Sequence, residues 1–440
     1  MRILRPFAVL LASGLFESPT PGAEPAPKAV AAWPSGPMEV RVGFDRALDP
    51  ASAISAVGSL IGFGEPEKPG VPGRPGGNRG ALRVAAARLE DGGRTLVLVT
   101  DPHPREATYA LDLPGVKAAG RAGPGFPLHK EYDLTGVEVT WAATGAKPAW
   151  SGWWPTFDPA RAKVALAGSA GHDRLWPLLA GPGKLTLRSF VVLPAGEATV
   201  TFDAASPFEA NLGTESARSV AVAGAGGHRA ALKVESTGEA AEVSVTLATG
   251  EGGEPRLDLA AASAKDPTPR PLPRTAFSLP WAPPSLQPAP TVPAPAAILT
   301  GGDPVKGEAV FLGDQAKCAN CHAVRGKGGA IGPDLTALAG RDRSWIYQNI
   351  IEPSASIHPD YVSYTVALKD GRISMGVVRA EGADALKVGD IDAKQTLIPR
   401  ADVEEIRPSA TSIMPVGLLG AIGEERTRDL LAYLTATPKR

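Results

Sequence analysis

Two cysteines in 440 residues stand three positions apart, and a histidine follows the second. In Cys318-Ala319-Asn320-Cys321-His322, two thiols one helical turn apart can each add to a vinyl group of one haem. The adjacent imidazole then lies under the iron. Three other uses of such a pair fit less well. A thioredoxin-like pair closes a strand and opens a helix. Here a helical pattern precedes the pair and the glycine-rich run Arg325-Gly326-Lys327-Gly328-Gly329 follows it. A structural zinc site takes four ligands, and His103, His129, His172, His228 and His358 show no ligand spacing among themselves. A disulfide across two intervening residues is strained. One covalent haem c, held through Cys318 and Cys321 with His322 as an iron ligand, is therefore the expected cofactor.

The N-terminus agrees. Arg2 and Arg5 precede the apolar run Phe7-Ala8-Val9-Leu10-Leu11-Ala12, and small and proline-rich sequence continues to Ala23. Residues 1–23 read as a secretory signal peptide cleaved near Ala23. The apolar run is about half of the roughly 20 residues that span a bilayer, so no transmembrane segment is expected after cleavage. Haem is attached to such motifs outside the cytoplasm, and the expected location is the periplasm or another exported site. A net charge of -1 gives no electrostatic reason to expect nucleic acid or an anionic membrane as a partner.

The length suggests about three domains, and 50 glycines with 44 prolines suit β-rich modules joined by turns. Residues 38–44 alternate apolar and polar, as a half-buried strand does, and 94–99 and 107–113 read as further strands. Between them, Gly64 to Gly80 is an irregular Gly/Pro loop. On the strings at 40–53 and 91–113, residues 33–115 resemble a bacterial Ig-like domain, which implies a small β-sandwich spacer. Further strands at 185–193 and 198–202 flank Pro194-Ala195-Gly196, a hairpin signal. With 231–234 and 243–247 they suggest a sandwich or jelly roll over 130–265. That stretch resembles PA14-like or sugar-binding sandwiches, which makes a polysaccharide a candidate partner. Trp150, Trp153 and Trp154 could present a platform for a sugar ring or pack the core. No acidic or amide cluster accompanies them, which favours the core. Asp101, His103 and Glu106 share one short loop and read as a solvated turn rather than a metal site. Residues 266–299 form a proline-rich linker whose first half is either spacer or a strand wrapped on the sandwich.

The last domain, 300–440, opens at Asp303-Pro304, a capping acceptor followed by proline at the first helical position. Gly307 and Phe311 share one face of that helix. Residues 427–435 read as a closing helix with Leu430, Tyr433 and Leu434 on one stripe, and 342–351 as a short helix between them. Here the chain resembles a class I cytochrome c, whose first and last helices cross at a glycine. The resemblance implies that Gly307 permits the crossing, that Phe311 and Tyr433 fill it, and that the Pro333 carbonyl holds the second nitrogen of His322. Residues 307–311, 318–335, 350–357, 361–378, 396–406, 412–419 and 428–434 together are similar to the planctomycete-type haem-binding domain. That family differs from a minimal cytochrome c by an insert, read here as a small β-subdomain at about 360–407.

The candidates for the sixth iron ligand are Met414, Met375 and His358, the remaining alternative being an iron left open or bound to water. Class I folds deliver a methionine from just ahead of the final helix, which implies Met414. Met375 lies in a strand pattern and reads as packing; His358 precedes a proline and reads as an exposed loop residue. The family usually carries an acid after its Met-Pro pair, where this chain has Val416. The expected fold class is thus two all-β sandwich modules, then an α-helical class I-like cytochrome c domain with an inserted β-subdomain. With His and Met on both faces, the site is expected to pass single electrons to a redox partner protein, such as a dehydrogenase, and not to catalyse. Two alternatives stay open: an open-site haem enzyme such as a peroxidase, and a glycan- or partner-binding scaffold with an accessory haem.

Overall fold

The computed structural model describes residues 26–64, 80–104, 107–120, 125–222, 227–250, 255–264, 266–282, 294–355, 357–409 and 411–437. The expected signal peptide, most of the Gly/Pro loop, Glu106 and residues 283–293 of the linker lie outside them. Among the described residues no helix is long and apolar enough to cross a membrane. The chain is multidomain and mostly β, with its helices gathered toward the C-terminus.

The first unit is one antiparallel seven-stranded sheet. Its strands lie in the order Ala29–Gly36, Glu39–Phe44, Thr95–Thr100, Gly80–Glu90, Leu60–Phe63, Tyr109–Val116, Phe126–Tyr132. The sheet curls until its first and last strands are neighbours. Val40, Val42, Phe44, Leu96 and Leu98 then face Ile61, Tyr109 and Leu111 in a closed core. The period-2 pattern of the sequence supplies these inward residues. The sheet runs past the expected boundary at 115, because Phe126–Tyr132 pairs with Tyr109–Val116 and Tyr132 stacks on Tyr109 with ring centroids 5.2 Å apart.

The second unit packs two sheets face to face. One is ordered Glu215–Arg218, Phe208–Leu212, Ala240–Thr249, Gly183–Val192, Val137–Ala143, Trp150–Trp154; the other Val220–Ala221, His228–Ser236, Gly196–Ala204, Leu257–Ser263, Arg270–Pro271. Pro194-Ala195-Gly196 is therefore not a hairpin. It carries the chain from Gly183–Val192 in one sheet to Gly196–Ala204 in the other. Leu185, Leu187 and Val191 of the first strand, and Ala198, Val200 and Phe202 of the second, all enter the same core. Two strands that each bury one face are satisfied equally well side by side or across a core, and the short turn permits either. The first half of the expected linker belongs to this sandwich: Arg270–Pro271 and Phe277–Ser278 pair with its strands, and Phe277 and Leu279 are buried.

In the third unit, helices Pro304–Leu312 and Glu424–Thr435 cross at Gly307. Asp303 caps the first helix, its Oδ1 accepting from the Val305 and Lys306 amides. A Cβ at Gly307 would lie 2.0 Å from the Asp429 carbonyl oxygen and 2.8 Å from the Tyr433 Cβ, so only glycine lets the helices meet. Phe311 and Tyr433 fill the crossing, with ring centroids 5.6 Å apart.

The insert is a five-stranded antiparallel sheet, in the order Gln395–Pro399, Ala385–Gly389, Ile373–Glu381, Ser363–Leu368, Val403–Pro408. Its buried residues Val366, Val378, Ala380, Leu386, Val388 and Ile398 share one core with Met38 and Val99 of the first unit, which is a single curled sheet and not the expected sandwich. Among the described residues, three hydrogen bonds cross this seam. The Tyr364 hydroxyl donates to the His103 carbonyl at 3.0 Å, Arg83 Nη2 to the Ala380 carbonyl at 2.6 Å, and the Ala380 amide to Asp101 Oδ1 at 2.8 Å. The insert is thus docked on the N-terminal module. Met375, expected to pack, is 53% exposed, on the opposite face of strand Ile373–Glu381 from the buried Val378 and Ala380.

Candidate haem site

Cys318–Cys321 forms a single helical turn entered through Lys317 in a left-handed conformation. The His322 amide closes the turn on the Cys318 carbonyl at 3.0 Å. This geometry puts both thiols and the imidazole on one short, hydrogen-bonded segment. Its inner side packs on the helix-crossing core: Cys318 and Ala319 touch the cluster of Phe311, Val324, Ile346, Leu419 and Leu431. Arg325, just after the motif, donates from Nη2 to the Ala436 carbonyl at 2.6 Å and lies over the Tyr433 ring. It ties the motif to the closing helix.

The imidazole is oriented by its neighbours. His322 Nδ1 lies 2.9 Å from the Pro333 carbonyl oxygen. A carbonyl can only accept, so Nδ1 carries the proton and the lone pair sits on Nε2. Nε2 has no hydrogen-bond partner among the described residues. The loop can lie this close because position 332 is glycine; a Cβ there would be 2.6 Å from the imidazole Cε1. Next to it, Ile331 is buried against the backbone of Gly389 in the insert, so the β-subdomain buttresses the histidine loop.

Burial pushes the Cys318 thiol up to about 11 and raises Cys321, which the carboxylate of Asp390 raises further. Burial lowers the imidazole of His322 below its ordinary value, against the opposing pull of the Pro333 carbonyl. Both cysteines are free thiols. The donor set therefore fits a c-type haem: two neutral, unlinked thiols one turn apart, and an imidazole held in the tautomer that offers Nε2 to a metal. Asp390 and Gly332 went unremarked as site residues in the sequence. The glycine stands inside a noted motif, but nothing local marks Asp390.

Met414 is half-buried on the loop ahead of helix Leu418–Ile422. Its amide donates to Ser412 Oγ, and the Ser412 amide to Ser354 Oγ, both at 3.1 Å. The structure brings His322 and Pro333 into direct contact and sets Met414 on a separate loop of the same domain. Val416 is exposed. His358 is exposed, with Nδ1 3.7 Å from Asp360 Oδ2. In the second sandwich Trp150, Trp153 and Trp154 are all buried. The indoles of Trp150 and Trp153 donate to the Gly171 and Thr135 carbonyls, so these rings pack the core and present no platform. His103 is buried, bonded to the Pro37 carbonyl and the Tyr132 hydroxyl, and does not sit in a solvated turn. Among the described residues no cluster of His, Cys, Asp and Glu could hold a metal ion.

The cytochrome c family model matches residues 304–393. No curated protein matches the chain. Among solved structures, the chain is 16% identical to the PA14 domain of the MpAFP antifreeze protein, over 22% of this chain and 52% of that one, at a TM-score of 0.19. It thus spans about half the length of that domain. A PA14 sugar-binding domain from an RTX adhesin is 10% identical over 33% of this chain and 99% of that one, at 0.25. An anti-sigma factor domain-containing protein from Clostridium clariflavum is 11% identical over 55% and 84%, at 0.23. At such TM-scores the fold of the N-terminal β units rests on their own strand order. The C-terminal part of the chain carries a cytochrome c domain, and that domain implies covalently bound haem.

Proposed function

We infer that this chain is an exported c-type cytochrome carrying one haem c, which exchanges single electrons with a redox partner protein such as a dehydrogenase. The observation that carries this is the Pro333 carbonyl fixing the ring of His322 so that Nε2 is its lone-pair nitrogen, beside two cysteines one turn apart in a domain matched by the cytochrome c family. Haem bound here supplies a one-electron couple. Cys318 and Cys321 would hold it through thioether bonds, which keep it attached in both oxidation states. His322 would offer Nε2 to the iron, and the Pro333 hydrogen bond keeps the ring from rotating and makes that nitrogen a stronger donor. Met414 would supply its sulfur from the other side; a thioether is a weak donor and favours the reduced form relative to a second imidazole. With His322 and Met414 both given to the iron, a haem held here would serve to exchange single electrons and not to bind substrate.

Spectroscopy of the purified protein tests the ligand set. A low-spin c-type spectrum with a methionine-to-iron band in the oxidised form is expected, and Met414→Ala should abolish the band while the thioether-linked haem remains. A band that survives the substitution overturns the assignment of Met414. A high-spin ferric spectrum of the unsubstituted protein would point to an open-site haem enzyme instead.

A further inference from the structure

The seam between the first unit and the β insert contains a cavity of about 200 Å³. The first unit's wall carries Asp101, which follows strand Thr95–Thr100, and the insert wall carries Arg379 of strand Ile373–Glu381. These opposite charges line one small space, yet among the described residues they form no ion pair with each other. The backbone holds each of them in place. Asp101 Oδ1 accepts from the Ala380 amide at 2.8 Å, which leaves Oδ2 uncommitted. Arg379 donates from Nη1 to the Val378 carbonyl at 3.2 Å and from Nη2 to the Asp360 carbonyl, and lies over the Tyr361 ring. Its Nε–H is uncommitted. The other carboxylate of the cavity, Asp360, is turned toward His358 at 3.7 Å.

Both groups are half-buried, and among the described residues neither the Asp101 carboxylate nor the Arg379 guanidinium forms an ion pair; a charge in that position gains from a counter-charge. A zwitterion answers both charges at once, its ammonium toward Asp101 Oδ2 and its carboxylate toward Arg379 Nε. A simple anion or cation answers only one of them. A polyol can hydrogen-bond to both but neutralises neither. The space is also below the roughly 300–1,000 Å³ of pockets that take drug-sized ligands, which limits the guest to a small side chain. We propose that this cavity is a binding site for a free α-amino acid with a small side chain.

Titration calorimetry of the full haem-loaded chain tests the proposal, with L-alanine as probe and propionate, ethylamine and glycerol as its partial mimics. L-alanine is expected to bind, and each mimic at least about tenfold more weakly, the factor expected for losing one charged hydrogen bond. Asp101→Asn keeps an acceptor for the Ala380 amide but removes the charge, and should weaken L-alanine about tenfold with the thermal midpoint unchanged. Ala81→Leu lies on the cavity wall and alters neither charge; it should remove binding by filling the space. Absence of binding by L-alanine, glycerol binding as tightly as L-alanine, or affinity indifferent to both substitutions would overturn the site.

Discussion

Gly307→Val should cost the haem-binding domain about 3–5 kcal/mol of stability. The Asp429 carbonyl oxygen occupies the place, 2.0 Å from an ideal Cβ, where the new side chain would begin. The helices must separate, and forced overpacking of this kind costs about 1–3 kcal/mol. Separation also breaks the bond from the Asp303 amide to the buried carboxylate of Asp429, 2.7 Å long. A hydrogen bond to a charged group is worth about 1.5–3 kcal/mol. Whole domains are stable by only about 5–15 kcal/mol, so this one change threatens the fold that holds the histidine loop. Denaturant titration followed by far-ultraviolet circular dichroism measures it. A midpoint equal to that of the unsubstituted protein would show that the crossing tolerates a side chain.

The second large effect is acid lability of the two N-terminal β units. His103 in the first and His172 in the second are fully buried, and burial lowers each to about 4 from an ordinary 6.5. Burial, not a missing acceptor, is what holds both rings neutral, since the charged form would lose its hydration inside the core. His103 donates from Nδ1 to the Pro37 carbonyl at 2.8 Å, so Nε2 must accept from the Tyr132 hydroxyl at 3.0 Å. His172 donates from Nε2 to the Trp153 carbonyl and accepts at Nδ1 from Ser169 Oγ, both at 2.9 Å. A second proton on either ring would put a charge where no water reaches it. Below pH 6.5 the unfolded chain binds these protons and the folded chain does not, so stability falls as pH drops from 6.5 to about 4 and levels off below. At 1.36 kcal/mol per pKa unit the loss is about 3 kcal/mol for each histidine. Denaturation midpoints measured across that window give the slope. His103→Asn keeps a donor for the Pro37 carbonyl without a titrating ring, and should flatten the slope for the first unit. An unaltered slope in that variant would remove His103 from the account.

What could be read from the residues alone was what is local. The thiol spacing, the Asp303 cap, Pro304 and the alternation at 38–44 each act within one turn or one strand, and each stands where expected. The route of the chain at 194–196 was not legible, because a three-residue turn suits a hairpin and a crossing between sheets alike. Strand Phe126–Tyr132 was missed since most of its side chains face solvent, so it shows little of a core pattern. The docking seam was invisible for another reason. Met38, Val99 and Tyr364 read as ordinary strand residues, and only the folded chain brings 38 and 99 against 364. Asp390 reaches Cys321 by the same long-range route, through the insert.

The docked insert changes what a cut in the chain would do. A protease that severs the backbone anywhere in 283–293 would leave two polypeptides, yet the C-terminal piece would still grip the N-terminal one through the Met38–Val99 core and the bonds of Arg83, Asp101 and Tyr364. The nicked pieces should therefore leave a sizing column together and part only in denaturant. If the chain exchanges electrons as proposed, its redox partner would meet the haem-binding part at a fixed angle to the N-terminal module, and would approach it from the side that module leaves open.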